Sequence, residues 1–282
     1  MTARVFSDTR CQLGEGPLWH PLREELFWFD ILGQCLMARP MQGEERRWQF
    51  DEYVSAAGWV DHQSLLLASE TGLYRFDIAS GQRSLIVPLE ADNPVTRSND
   101  GRADPWRGFW IGTMGKNAEP EAGAIYRFYE GELRKLVSGM TITNAICFAP
   151  DKTQAYYVDT AKGQVMRQPL NRENGWPDGA PSVYLDFSGQ DVGADGAVTD
   201  RDGCFCVALW GGARVECYDG QGILRNRVEL PASQATCPAF GGEGMKTMFV
   251  TSAAKDDEMQ GAGMTFAVET TVAGNPEPRV RL

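Results

Sequence analysis

A pattern that recurs six times along this chain confines it to a narrow set of architectures. Glu15-Gly-Pro-Leu-Trp-His-Pro21 runs through a polar turn into the strand-like stretch 26–29, and Asn144-Ala-Ile-Cys-Phe-Ala-Pro150 does the same into 155–158. Further copies begin at Ser55, Asn99, Asp195 and Cys237, so successive starts lie 40, 44, 45, 51 and 42 residues apart. Each copy is a short apolar run, a turn and a second apolar run, followed by further strand signals separated by Gly-containing pairs. Repeats of this length built from several short strands are the mark of a β-propeller. The expectation is an all-β, six-bladed propeller formed by residues 1–282 as one domain, at 47 residues per blade. The sixth copy lacks an outer strand, and residues 4–6 can supply it. Pairing of the N- and C-terminal segments then closes the ring and leaves no open sheet edge.

Equivalent positions of a propeller point at one axis. Four of the six first positions are Glu15, Asn99, Asn144 and Asp195, while Ser55 and Cys237 are small. Two carboxylates and two amides form an oxygen donor set suited to a hard divalent cation. Taken singly, each could merely satisfy the backbone of a turn. Two buried anions at equivalent places near an axis are costly unless a cation compensates them, which favours a metal site. Arg97 stands two residues before Asn99, so on an extended strand it faces the same way. Its fork of donors suits a hydroxyl- or carboxylate-rich ligand, the alternative being a surface ion pair with Asp100 or Asp92. Asp100 reads as a turn residue in preference to a group that supports the ligands from behind.

Other classes find little support. The net charge is −11, which disfavours nucleic acid and anionic membrane surfaces as partners. There are two histidines, His20 and His62, too few for a three-His zinc centre, and both read as surface or turn residues. No phosphate-binding glycine loop precedes a helix. Residues 1–10 lack an apolar signal core, and no stretch approaches the roughly 18 apolar residues of a membrane span. The seven cysteines include no Cys-x-x-Cys pair, and Cys147, Cys204 and Cys206 read as buried free thiols of a reducing compartment. A cytoplasmic protein, monomeric or weakly self-associating, is expected. Trp19, Trp59 and Trp110 read as packing residues; Trp210, at a strand end, suits either packing or stacking on a sugar.

In order along the chain stand Gly14-Glu15-Gly16-Pro17-Leu18-Trp19, Arg97-Ser98-Asn99-Asp100-Gly101-Arg102-Ala103-Asp104-Pro105, Gly112-Thr113-Met114-Gly115, Asn144 with Pro150-Asp151, and Asp195-Gly196 with Asp202-Gly203. Together they resemble the motifs of the regucalcin (senescence marker protein)/gluconolactonase family, from the first repeat to the fifth. The resemblance implies a six-bladed propeller with one divalent cation (Ca2+, Zn2+, Mg2+, Mn2+ or Fe2+) held by Glu15, Asn144 and Asp195. It implies substrate contacts from Arg97 and Asn99. The chain departs at Thr143-Asn144-Ala145, where the family usually has Asn-Gly. Its loop 115–123 is closer to bacterial sugar-lactonase members, and Lys116, Glu119 and Glu121 become candidates for a specificity rim.

The activity so implied is metal-dependent hydrolysis of a sugar lactone, an aldono-1,4- or 1,5-lactone, to the aldonic acid. Asp195 serves as both ligand and general base. Two alternatives remain: a non-enzymatic calcium-binding or scaffold propeller, and a metal-dependent esterase of broader range.

Overall fold

A computed structural model describes residues 2–282, and its strands form six four-stranded antiparallel sheets arranged as the blades of a propeller. The innermost strands are Gly14–His20, Val54–Trp59, Thr96–Ala103, Thr143–Phe148, Gly193–Thr199 and Ala235–Gly241, and we number the blades 1 to 6 in that order. Five blades are continuous in sequence. Blade 6 is completed by Arg4–Ser7, which pairs antiparallel with Thr265–Glu269 as its outermost strand. The seam is thus closed by the two ends of the sequence, as the missing outer strand predicts. The one helical turn among the described residues is the 3-10 segment Glu243–Met245, and none of their helices is long and apolar enough to cross a membrane.

Each blade is buried on both faces of its inner strands, so those strands read as apolar runs rather than strict alternations. Every hydrophobic cluster joins two neighbouring blades. Phe27, Phe29, Leu65 and Leu67 bind blade 1 to blade 2, and Phe205, Val207, Tyr156 and Val158 bind blade 4 to blade 5. At the seam, Phe6 packs edge-on against Phe249 and Trp28, with centroids 4.9 and 6.2 Å away.

One irregularity repeats in all six blades. The pairing between innermost and second strand slips at Glu15/Leu18, Val54/Ala56, Ser98/Gly101, Asn144/Cys147, Ala194/Ala197 and Ala235/Pro238. A β-bulge bends the strand and re-aims its side chains. The six equivalent first positions lie at or within these bulges. Gly16 takes a φ of 55°, and a Cβ there would come within 2.3 Å of the Ser55 carbonyl oxygen, so the Glu-Gly-Pro motif needs glycine at that point. Ala145 adopts φ 57° at the place where the family's usual Asn-Gly puts its glycine.

Three expectations are corrected. Cys206 is not a free thiol: it pairs with Cys217 directly across adjacent strands of blade 5, and the two form a disulfide. Their spacing, eleven residues with a tight turn between, made them cross-strand neighbours that no Cys-x-x-Cys rule detects. His20 is fully buried, its Nε2 3.0 Å from the carbonyl oxygen of Asp61, because the strand end it occupies is covered by blade 2; His62 is exposed. Asp100 is no turn residue, since it lies in the innermost strand of blade 3 and is buried.

Because Phe6 is the one large side chain that Arg4–Ser7 inserts between blades 6 and 1, Phe6→Ala is expected to cost about 3 kcal/mol of unfolding free energy. Urea denaturation followed by tryptophan fluorescence measures this; a loss below ~1 kcal/mol would show that the seam does not depend on this strand.

Candidate metal and substrate site

Antiparallel pairing sets the start of each innermost strand beside the end of the second strand. One face of the ring therefore collects the bulge residues together with the loops that leave the second strands. A cavity of about 480 Å3 opens there, at the head of the central channel. Glu15, Arg97, Asn99, Asn144 and Asp195 form its floor, although they come from blades 1, 3, 4 and 5. Its wall holds Leu13, Leu32, Met114, Ile142, Thr160 and Trp210, and its rim carries Lys116, Asn117, Ala118 and Lys255.

The polar floor is wired side to side. Arg97 Nη1 donates to Asn99 Oδ1 at 2.7 Å and to the Ser98 carbonyl at 2.8 Å. Asn99 Nδ2 donates to Asn144 Oδ1 at 3.0 Å and to the Thr143 carbonyl at 2.8 Å. Asn144 Nδ2 donates to Thr160 Oγ1 at 2.9 Å, and that hydroxyl donates to the Ala194 carbonyl at 2.7 Å. The relay crosses three blades and ends on the residue before Asp195. It spends both amide nitrogens on protein partners, so the side-chain oxygen of Asn144 keeps a lone pair for a ligand.

The two carboxyls are under electrostatic pressure. Burial raises Glu15 to about 8, with the nearby charge of Asp100 adding to the effect; the Gly16 N–H, 2.9 Å away, and Arg97 oppose it. Asp195 is raised well above the ordinary aspartate range by burial first, then by Glu15 and Asp100. Arg97 is lowered to about 10 by burial, held up by Glu15, and stays charged at neutral pH. Among the described residues no trio of His, Cys, Asp or Glu forms a metal cluster. The donor set here is instead two carboxylates and an amide oxygen, which matches hard-cation chemistry. Two buried, mutually repelling carboxyls beside that oxygen fit a divalent cation.

The rim differs in part from expectation. Lys116 lines the cavity, and its ammonium pairs with Glu70 at 2.5 Å. Glu119 folds back into its own loop, accepting from Asn117 N and Asn117 Nδ2 at 3.0 Å each, and Glu121 reaches out to Lys162 at 3.6 Å; neither lines the cavity. The left-handed residues Ala118 and Glu121, at φ 56° each, turn the loop so that Asn117 and Ala118 face inward instead. Thr160, Leu32 and Lys255 escape the sequence reading. All three belong to turns after second strands, a position the repeat could have flagged.

Between about pH 4.5 and 8 the folded, cation-free protein keeps a proton on Glu15 that the unfolded chain has lost. The stability of the cation-free form is therefore expected to fall as pH rises through this window. Cation binding must expel that proton, so affinity should rise over the same range with proton release. Calorimetry in two buffers of different ionisation enthalpy tests this; pH-independent affinity with no proton release would show that these carboxyls do not hold the cation.

The family described as SMP-30/Gluconolactonase/LRE-like region matches residues 13–254. An L-arabinolactonase of Azospirillum brasilense is 33% identical, covering 96% of this chain and 93% of its own. A 6-deoxy-6-sulfogluconolactonase of Pseudomonas putida is 31% identical over 94% of both chains. The crystal structure of a calcium-binding protein, regucalcin, from Agrobacterium tumefaciens superposes with a TM-score of 0.97 at 38% identity, covering 100% of this chain and 98% of that one. Matched in sequence over most of its length and in fold throughout, the chain belongs to the SMP-30/gluconolactonase family.

Proposed function

We propose that this chain is a divalent-cation-dependent lactonase that opens an aldono-1,4- or 1,5-lactone to its aldonic acid. The observation that carries the reading is the gathering of Glu15, Asn144 and Asp195 with Arg97 and Asn99 on the floor of one cavity. Its size suits a single sugar ring, and the lactonase names of two relatives support the reaction class.

Glu15, Asn144 and Asp195 hold the cation. Bound there, a divalent cation supplies a Lewis acid for the lactone carbonyl. Asp195, as carboxylate, accepts a proton from the water that adds to the carbonyl carbon. The ring C–O bond breaks, and the proton held by Asp195 passes to the departing ring oxygen, which becomes a hydroxyl of the product acid. Arg97 and Asn99 grip ring hydroxyls; the Asn99 hydrogen bond to Asn144 keeps both amides in register. Leu32, Met114, Ile142 and Trp210 offer apolar surface to the carbon skeleton and exclude water. Lys116 and Asn117 contact the distal end of the sugar.

A second reading, a calcium-binding propeller without catalysis, draws support from the name of the Agrobacterium neighbour. Titration of released acid in a pH-stat, with a panel of aldonolactones and one cation supplied at a time, separates the two. Turnover by the wild type is expected, together with loss of activity and of cation affinity in Asp195→Ala. Arg97→Ala should keep the cation and lose ten-fold or more in kcat/KM, about 1.4 kcal/mol per factor of ten. The loss should be larger for a sugar lactone than for an unsubstituted lactone of equal ring size. No turnover with any cation would support the binding protein, and equal losses on both lactones would remove Arg97 from sugar recognition.

A further inference from the structure

Beneath the cavity floor the channel is not an open pore. Asp100, Arg102 and Glu277 surround a small void of about 10 Å3 together with Gly16 and Cys237, neighbours in space of the cation site. Glu277 does not belong to any blade. It is delivered by the segment 271–282, which runs across the far face of the ring.

This segment is tied to the ring along its length. The carbonyl of Ala273 accepts from Arg201 N at 2.9 Å, Gly274 N donates to Met245 O at 2.8 Å, and Asn275 Nδ2 donates to Asp200 O at 2.9 Å. Trp59 Nε1 donates to Glu277 O at 2.8 Å, Val280 N to Trp59 O at 2.9 Å, and Arg281 N to Arg107 O at 2.9 Å. Blades 6, 5, 2 and 3 are thereby bridged. Two glycines mark how closely the tail is seated. A Cβ on Gly274 would lie 2.1 Å from Phe240, and one on Gly58 would lie 2.5 Å from Val280.

The carboxylate brought in this way pairs with Arg102, and both side chains are almost wholly buried. Arg102 feels Glu277 most strongly among its neighbouring charges, and Asp100 further down. Asp100 in turn accepts the N–H of Ile146 at 2.7 Å, within the bulge that begins at Asn144. The negative charge of Asp100 also reaches Glu15 and Asp195. Along the channel the charges therefore alternate: the carboxyl pair with its cation, Asp100, Arg102, Glu277. Without Glu277, Arg102 is an unpaired buried cation under a site meant for another cation. The carboxylate still acting on it is Asp100, which also accepts the Ile146 N–H inside the Asn144 bulge and would be drawn away from it.

We propose that Glu277 is a positioning residue for the cation site, acting through Arg102 and Asp100 from the tail that seals the far mouth of the channel. The inference rests on the proposed function, because it assumes a cation at Glu15, Asn144 and Asp195. It concerns that cation's affinity and not a chemical step.

The test is isothermal calorimetry of the full chain with Ca2+ and with Mn2+, alongside circular dichroism to establish folding. Glu277→Gln is expected to weaken cation binding about ten-fold. The double variant Arg102→Met/Glu277→Gln removes both charges together, a replacement that buried ion pairs often tolerate. It is expected to fold and to bind at least as tightly as wild type. Recovery of affinity in the double variant is what a merely structural role of Glu277 would not produce. A folded Glu277→Gln with wild-type affinity, or a double variant that binds more weakly than wild type, overturns the inference. If Glu277→Gln does not fold, the double variant alone decides by the same criterion. Wild-type protein that binds neither of these, nor Mg2+, Zn2+ or Fe2+ in the same experiment, overturns the proposed function and this inference with it, whereas binding by wild type with no difference among folded variants overturns this inference alone.

Discussion

Two carboxyls that repel each other in a buried place organise the centre of this molecule. Glu15 and Asp195 come from blades 1 and 5, yet they share one cavity floor; burial and Asp100 raise the hold of Glu15 on a proton, and burial, Glu15 and Asp100 raise that of Asp195. Burying like charges is costly unless something compensates them. The surroundings supply only partial relief: the Gly16 N–H on Glu15, and Arg97 nearby. In the proposed function a divalent cation supplies the remainder. Closing the ring is what forces the two acids together.

The same closure explains how a site with loose local chemistry becomes a defined one. Asn99 and Asn144 have two side-chain amides between them, two carbonyl oxygens and two NH2 groups, which in a loop would sample many arrangements. Here Arg97, Thr143 and Thr160 take up all but the oxygen lone pairs that face the cavity. The relay through three blades means that rotating one amide breaks bonds in the next. A site set on bulges of four innermost strands is also more rigid than one set on loops, because each bulge is flanked by ladder pairs. The wall and rim are built differently: the ends of second strands and the turns after them, in five blades, provide Leu32, Lys116, Thr160, Trp210 and Lys255.

The site is also supported from below. Most of the far mouth is covered by the segment 271–282, and its one buried carboxylate stands opposite Arg102. Asp104 and Arg127 form a second fully buried pair nearer the periphery, 2.7 Å apart, with Tyr129 and Trp176 lying on the guanidinium. Both pairs begin in blade 3, and each meets a segment outside the regular ladder: the tail supplies Glu277 in one case, and Trp176, from the loop 170–181 between the third and fourth strands of blade 4, covers Arg127 in the other.

Much of this is legible in the sequence. A four-strand repeat must bury each sheet against the next, so a six-fold period of apolar runs already implies a closed ring, the need to cap its seam, and a shared axis for Glu15, Asn99, Asn144 and Asp195. Arg97 followed from strand alternation alone. What the period could not carry was anything set by contacts between blades. Glu119 and Glu121 sit in the expected loop but turn away from the cavity, because two left-handed residues fix that loop's path. Cys206 met Cys217 only once two strands paired. Asp100, in a motif that reads locally as a turn, is buried because the ring sets it among residues of other blades and the tail, with the Ile146 N–H of the next blade donating to it. Glu277, in a stretch of tail with no strand signal, reached the axis only through the hydrogen bonds of four blades. The sequence by itself determined the ring and the residue types that face its axis, since periodicity is a property of the chain alone. The tertiary structure decided which charges are buried, which amides are locked and which loops look inward, since each of these depends on partners brought together from distant parts of the chain.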